Sequence, residues 1–271
     1  MEFRIIVVFL FFASTIFAQS EVNIYTERQG SQVIIYADNP SVIPMTVDLT
    51  LDLTNMKTDF GGKKEIFVIP KLSKRYKIVT ASAIRQNGRT GLGLESYIYV
   101  GDVRQKPDSK YLYELPFESG ETYIVSQGYN GRFSHRGENA IDFALETGEK
   151  VYAARGGIVY KVVEKNSRSC HQSSCQEFNN FITVYHSDGT FSEYSHLKYN
   201  GANVNVGDNI KIGDFLGYSG NTGWSSGPHL HFVVYKYNEK GKRETIKTKF
   251  KTSKEESVIL QENEQYTKPG E

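Results

Sequence analysis

The chain has 271 residues, 39% of them apolar and 23% charged, which is enough for one or two hydrophobic cores. Lysine and arginine number 32 against 31 aspartates and glutamates, a net charge of +1 with no long run of either sign. That balance excludes a basic nucleic-acid groove and a polybasic membrane patch.

Aromatic residues make up 13% of the chain and glycine is abundant, which favours strands and turns over helices. The expected fold class is all-β.

At the N-terminus, Ile5 to Ala13 is almost wholly apolar, and Ala18 precedes the polar pair Gln19 and Ser20. This layout predicts a cleavable signal peptide over residues 1–18 and an exported protein, periplasmic or extracellular. The apolar run falls short of the ~20 residues that span a bilayer, and no second stretch is long and apolar enough to form a stable membrane span.

Residues 19–104 read as a small Ig-like β-sandwich. Val47, Leu49, Leu51 and Leu53 alternate with polar residues and would face one core, while Asp38-Asn39-Pro40, Gly61-Gly62 and Asn87-Gly88 mark turns. The module holds no His and no Cys, so a structural or wall-contacting role is expected of it.

The polar stretch 105–114, with Lys106-Pro107-Asp108, is read as a linker. A second domain over 115–250 is expected to be a compact antiparallel β-barrel or sandwich. Its strand-like runs include Gly157 to Val163, Phe181 to Tyr185 and Phe232 to Tyr235, and Asp188-Gly189 marks a hairpin. From Lys236 to Glu271 the chain is rich in Lys and Glu, with only Ile246, Phe250 and Val258-Ile259-Leu260 to bury, so one or two peripheral strands and a disordered end are expected, with 251–271 as the C-terminal tail.

The two cysteines, Cys170 and Cys175, lie in a polar loop. In an exported chain a local disulfide is the favoured reading. The alternative is a metal site with His171, which lacks a fourth ligand.

All six histidines fall between positions 135 and 231. In His229-Leu230-His231 a strand would turn both imidazoles to one side, because residues two apart share a face. Asp142, between Ile141 and Phe143, would point away from those apolar neighbours, where a carboxylate is costly unless it is paired, hydrogen-bonded or metal-bound. His196, in Tyr194-Ser195-His196-Leu197, ends another strand. With His135, seven residues before Asp142, four histidines and one carboxylate exceed the three protein ligands a catalytic zinc needs, which leaves imidazoles over for proton transfer.

Ser134-His135 with Asp142, Tyr194-Ser195-His196-Leu197, Ser219-Gly220-Asn221-Thr222-Gly223 and Gly227-Pro228-His229-Leu230-His231-Phe232 together resemble the lysostaphin-like (LytM-type) zinc endopeptidases. The resemblance runs from about Tyr123 to Tyr235. It implies that His135, Asp142 and His231 bind zinc (Zn2+), that His196 and His229 flank the metal-bound water, and that the substrate is the peptide stems or cross-bridges of bacterial peptidoglycan. Many members have a shorter spacing than His135 to Asp142, and the Cys170 to Cys175 loop is a further departure. Some members are catalytically silent envelope proteins that activate another wall hydrolase; they have typically lost metal ligands, whereas all three are present here.

Among the remaining candidates, Tyr129 reads as an oxyanion donor or a packed aromatic. Trp224 reads as a groove wall or a packed turn. His171 and His186 are expected at the surface.

Overall fold

The computed structural model describes residues 22–270, so the signal-peptide reading of 1–18 lies outside the described residues. The described chain is almost entirely β, and a short 3₁₀ turn, Ser173–Phe178, is its one helical element.

The N-terminal unit is a sandwich of two antiparallel sheets. One has the strand order Asn23–Gln29, Gln32–Asn39, Ser73–Ala83, Met56–Thr58; the other has the order Lys64–Ile69, Met45–Thr54, Gly91–Val100. The period-two pattern of the central strand decides its faces. Val47, Leu49 and Leu51 are buried and Leu53 is partly buried against the same core. Asn39 closes one corner of the sandwich: its buried amide donates to the carbonyls of Ile43, Ile69 and Pro70, and its Oδ1 accepts from Ser41 N.

The C-terminal unit is built on a nine-stranded sheet. Its order is Asn209–Ile210, Gly157–Val163, Phe181–Tyr185, Phe191–Ser195, Leu230–Tyr237, Ala140–Phe143, Thr122–Gln127, Gln265–Thr267, with Arg243–Ile246 also paired to Leu230–Tyr237. Ile141, Phe143, Ile182, Val184, Tyr194, Leu230, Phe232 and Val234 form one face and share a core with Val151, Leu197 and Leu216 around a three-stranded sheet.

The opposite face is also buried at one end. Ala140, Tyr185, Phe191, Val233 and Tyr235 join the sandwich residues Ile35, Val47, Leu49 and Val79 in one continuous core. The central strands therefore read as near-unbroken apolar runs, because both of their faces are covered. The sandwich is docked there by Tyr185, whose hydroxyl accepts from Asp102 N at 3.4 Å, and by Lys236, whose Nζ donates to the Gln105 carbonyl at 3.1 Å.

Two boundaries differ from the sequence reading. The end of the expected linker, Leu112–Glu114, is a strand parallel to Lys249–Lys251, because Tyr113, Leu115 and Phe117 alternate into the core. The tail does not end loosely either. Leu260 is buried, and Gln265–Thr267 pairs with Thr122–Gln127 at the edge of the large sheet. A few apolar residues spaced among Lys and Glu suffice to anchor it, since an open strand edge offers ready hydrogen-bond partners.

A shared core predicts shared unfolding. Phe191→Ala should remove about 3–5 kcal/mol, and native-state hydrogen exchange should show the slowest amides of Leu49 and Val234 losing protection together. Independent loss in the two units would show that the contact between them is not a folding core.

Candidate metal centre

One cross-strand row organises the site. Gln127 faces Asp142, Asp142 faces His231, and His231 faces Ser195 across four neighbouring strands. Because Ile141, Phe143, Leu230 and Phe232 are committed to the inner core, the alternation turns Asp142 and His231 to the outer face, at the strand ends away from the docked sandwich.

His135 arrives from a loop. Gly131 N donates to Gly128 O, Asn130 N to Glu138 O, and Glu138 N to His135 O, so the long stretch between Gln127 and Ala140 folds back on itself. Gln127 then ties this loop to the row. Its Oε1 accepts from Phe133 N and Ser134 N, while its Nε2 donates to Ser134 Oγ at 2.8 Å and Asp142 Oδ2 at 3.0 Å.

The result is a compact donor set. His135 Nε2 and His231 Nδ1 lie 3.2 and 2.9 Å from Asp142 Oδ1 and 3.2 Å from each other. One ligand atom from each of the three residues falls within 4.8 Å of the others, a spacing that could hold a metal ion. His135 is 1% exposed and Asp142 6%. His135 Nδ1 donates to the Gly128 carbonyl at 3.0 Å, which fixes the tautomer that turns the Nε2 lone pair inward.

Charge follows from these contacts. Burial alone would raise the Asp142 carboxyl, but hydrogen bonds from His135 and His231 outweigh it and hold the group well below the usual carboxylate range. Burial likewise works to lower His135, and its bond to Asp142 raises it above the ordinary histidine value.

Two further imidazoles close on the set. The His196 ring lies 4.5 Å from that of His229 and 5.8 Å from that of His231, and His229 Nε2 is 3.8 Å from Asp142 Oδ1. Each points its Nδ1 away from the cluster. His196 bonds the Thr222 carbonyl at 2.7 Å, and His229 bonds the Gly227 carbonyl at 2.8 Å. Burial, then the neighbouring charges of His229 and His231, pushes His196 down to about 3. His196 also has φ +62°, a left-handed conformation that costs a non-glycine residue on the order of 1–3 kcal/mol.

The other candidates resolve differently. Tyr129 is a packed aromatic: its hydroxyl meets Thr248 Oγ1 at 2.7 Å, and burial pushes it up to about 12. His186 is not at the surface. It is fully buried, bonded to Gly156 O and Ser192 Oγ, and pushed down to about 4 by that burial, so the hairpin turn it precedes is packed rather than open. His171 is exposed, in the loop that the Cys170–Cys175 disulfide closes. Trp224 is 37% exposed and sits in a short strand parallel to Ser169–Cys170. Sequence reasoning missed Gln127, whose one signal was its place at the end of the alternating Thr122–Gln127 strand.

The chain is similar to several known proteins. An uncharacterized metalloprotease of Buchnera aphidicola is 31% identical over 50% of this chain and 34% of its own length. The peptidoglycan DD-endopeptidase ShyA of Vibrio cholerae is 29% identical over 64% of this chain and 36% of its own. Lysostaphin of Staphylococcus simulans is 39% identical over 39% of this chain and 18% of its own. The match thus spans at most 36% of the length of these relatives. Among the described residues, no helix is long and apolar enough to cross a membrane. Residues 136–243, which contain Asp142, His196, His229 and His231 and begin one position after His135, match the sequence model of peptidase family M23, which makes this stretch of the chain a peptidase M23 domain.

Proposed function

We propose that this chain is a zinc-dependent endopeptidase of the cell envelope that hydrolyses peptide cross-links in bacterial peptidoglycan. The observation that carries the reading is the convergence of His135 Nε2, Asp142 Oδ1 and His231 Nδ1 beside two imidazoles that are not needed as ligands. The peptidoglycan substrate is supported by the resemblance to ShyA and lysostaphin. Retention of all three ligand positions argues against a silent binding role.

Two imidazoles and one carboxylate fit zinc, which takes mixed nitrogen and oxygen donors and leaves a position open in catalytic sites. When bound there, zinc supplies a Lewis acid for the scissile carbonyl and lowers the pKa of water to ~7.

The chain's own residues do the rest. With Nδ1–H held by a carbonyl, the neutral forms of His196 and His229 each carry their lone pair on Nε2. With its Nδ1 tied to the Thr222 carbonyl and its ring beside those of His229 and His231, His196 is placed to accept a proton from water and pass it to the leaving amine, with His229 as its partner. Gln127 holds Asp142 Oδ2 so that Oδ1 faces the two ligand imidazoles.

These roles separate by experiment. His231→Ala should abolish stoichiometric zinc binding and the release of amines from cell-wall sacculi while the circular dichroism spectrum is unchanged; a fully active variant would refute the reading. His196→Ala should keep its zinc but lose ~10²–10⁴ in turnover, measured on purified muropeptides by mass spectrometry. Gln127→Ala should weaken zinc affinity by ~10–100-fold in competition with a chelator, and an unchanged affinity would remove Gln127 from the support of Asp142.

A further inference from the structure

We infer that the segment 168–180, closed by the Cys170–Cys175 disulfide, is a positioning frame for the two non-ligand imidazoles, and that Asn179 is its principal positioning residue. The inference rests on the hydrolytic reading above for its effect on rate, and on the contacts below for its geometry.

His196 stands where the chain leaves Phe191–Ser195 and enters Leu197–Ala202 in a left-handed conformation. Such a residue keeps its place only if its surroundings over-determine it. Its backbone N–H donates to Asn179 Oδ1 at 2.9 Å, and its ring donates from Nδ1 to the Thr222 carbonyl at 2.7 Å. The residue after it is held by the same segment, since Leu197 N donates to Asn180 O at 3.0 Å.

Thr222 is in turn fixed from the frame. Its hydroxyl accepts from Asn180 N and donates to the Leu197 carbonyl. Just beyond it, Gly223–Trp224 runs parallel to Ser169–Cys170, with Gly223 N donating to Arg168 O and Ser225 N to Cys170 O. Gly223 has φ +82°, and a Cβ there would meet the Asn179 Cα at 2.8 Å, so the two backbones are in direct contact.

The second imidazole is reached from the same place. Ser225 Oγ lies 3.3 Å from His229 Nδ1 and donates to the Gly227 carbonyl, which itself takes the His229 ring proton. Both imidazoles are therefore one or two hydrogen bonds from the disulfide loop. The three ligand residues are carried instead by the Ala140–Phe143 and Leu230–Tyr237 strands and the Gly128–Asn139 loop, and are tied to one another, to Gln127 and to the Gly128 carbonyl.

Metal retention and turnover should separate accordingly. The test uses the full chain as wild type, Asn179→Ala, Asn179→Asp and the double variant Cys170→Ser with Cys175→Ser. Zinc content, kcat and KM on a synthetic cross-linked peptide, and the downfield proton resonance of His196 Nδ1–H are compared. Asn179→Ala should keep its zinc, lose about tenfold or more in kcat with KM within about twofold, and lose the His196 resonance. Asn179→Asp, which keeps an oxygen acceptor, should restore both, and the double cysteine variant should lower kcat in the same direction.

Wild-type kcat together with a retained resonance in Asn179→Ala would overturn the proposal. So would wild-type kcat in the cysteine variant, which decides the matter if Asn179→Ala does not fold. A wild-type protein that hydrolyses nothing would instead refute the functional reading, and the His196 resonance across the four proteins would still decide the positioning.

Discussion

The outer-face carboxylate of Asp142 is the constraint on which the site depends. A charged group that is 6% exposed carries a desolvation penalty of several kcal/mol, so its surroundings must supply compensating donors. They do so from three directions: Gln127 on one neighbouring strand, His231 on the other and His135 from the loop. Each donor is itself placed by something rigid, the first two by sheet register and the third by its bond to Gly128 O. Taking one partner away leaves an incompletely paired buried anion, so the stability of the sheet and the spacing of the donors are coupled at this point.

Register also divides labour along the large sheet. The same outward alternation that aims Asp142 and His231 at the site aims Ala140, Val233 and Tyr235 at the N-terminal sandwich. Slipping either strand by one residue would bury the ligands and expose the inner core, so the apolar pattern that folds the sheet also selects the ligand face. The sandwich covers the apolar end of that face, and its contacts through Asp102, Gln105 and Tyr99 fall at the turns remote from His231.

Much of this was legible because strands have a period of two. The outward aim of Asp142 followed from Ile141 and Phe143, and the common side of His229 and His231 from their spacing. His135 could not be placed that way, since a loop has no period, and Gln127 looked like any polar strand residue because its role depends on a partner that is distant in sequence. Near Asp188-Gly189 the failure had another cause. A turn signal reports backbone geometry and not exposure, and His186 is buried under Tyr113 while the turn itself is pinned by Arg155 and Asp188. In the tail the peripheral strand and the burial of Leu260 followed from its few apolar residues, and the difference lies in its end, which composition marks as disordered although Gln265–Thr267 needs only one free edge to be ordered.

The imidazoles of the cluster are held by different means. His231 keeps its spacing to Asp142 through strand register, with ordinary backbone angles. His196 comes to the cluster by leaving its strand at φ +62°, and His229 stands one residue before its own strand, just after Gly227 and Pro228. Backbone of that kind has few intrinsic restraints, so it needs external ones, and the Asn179, Asn180, Thr222 and Ser225 hydrogen bonds provide them. Closing the loop through Cys170 and Cys175 lowers the conformational entropy that those bonds must overcome, which places the disulfide beside the least regular part of the site rather than in either core.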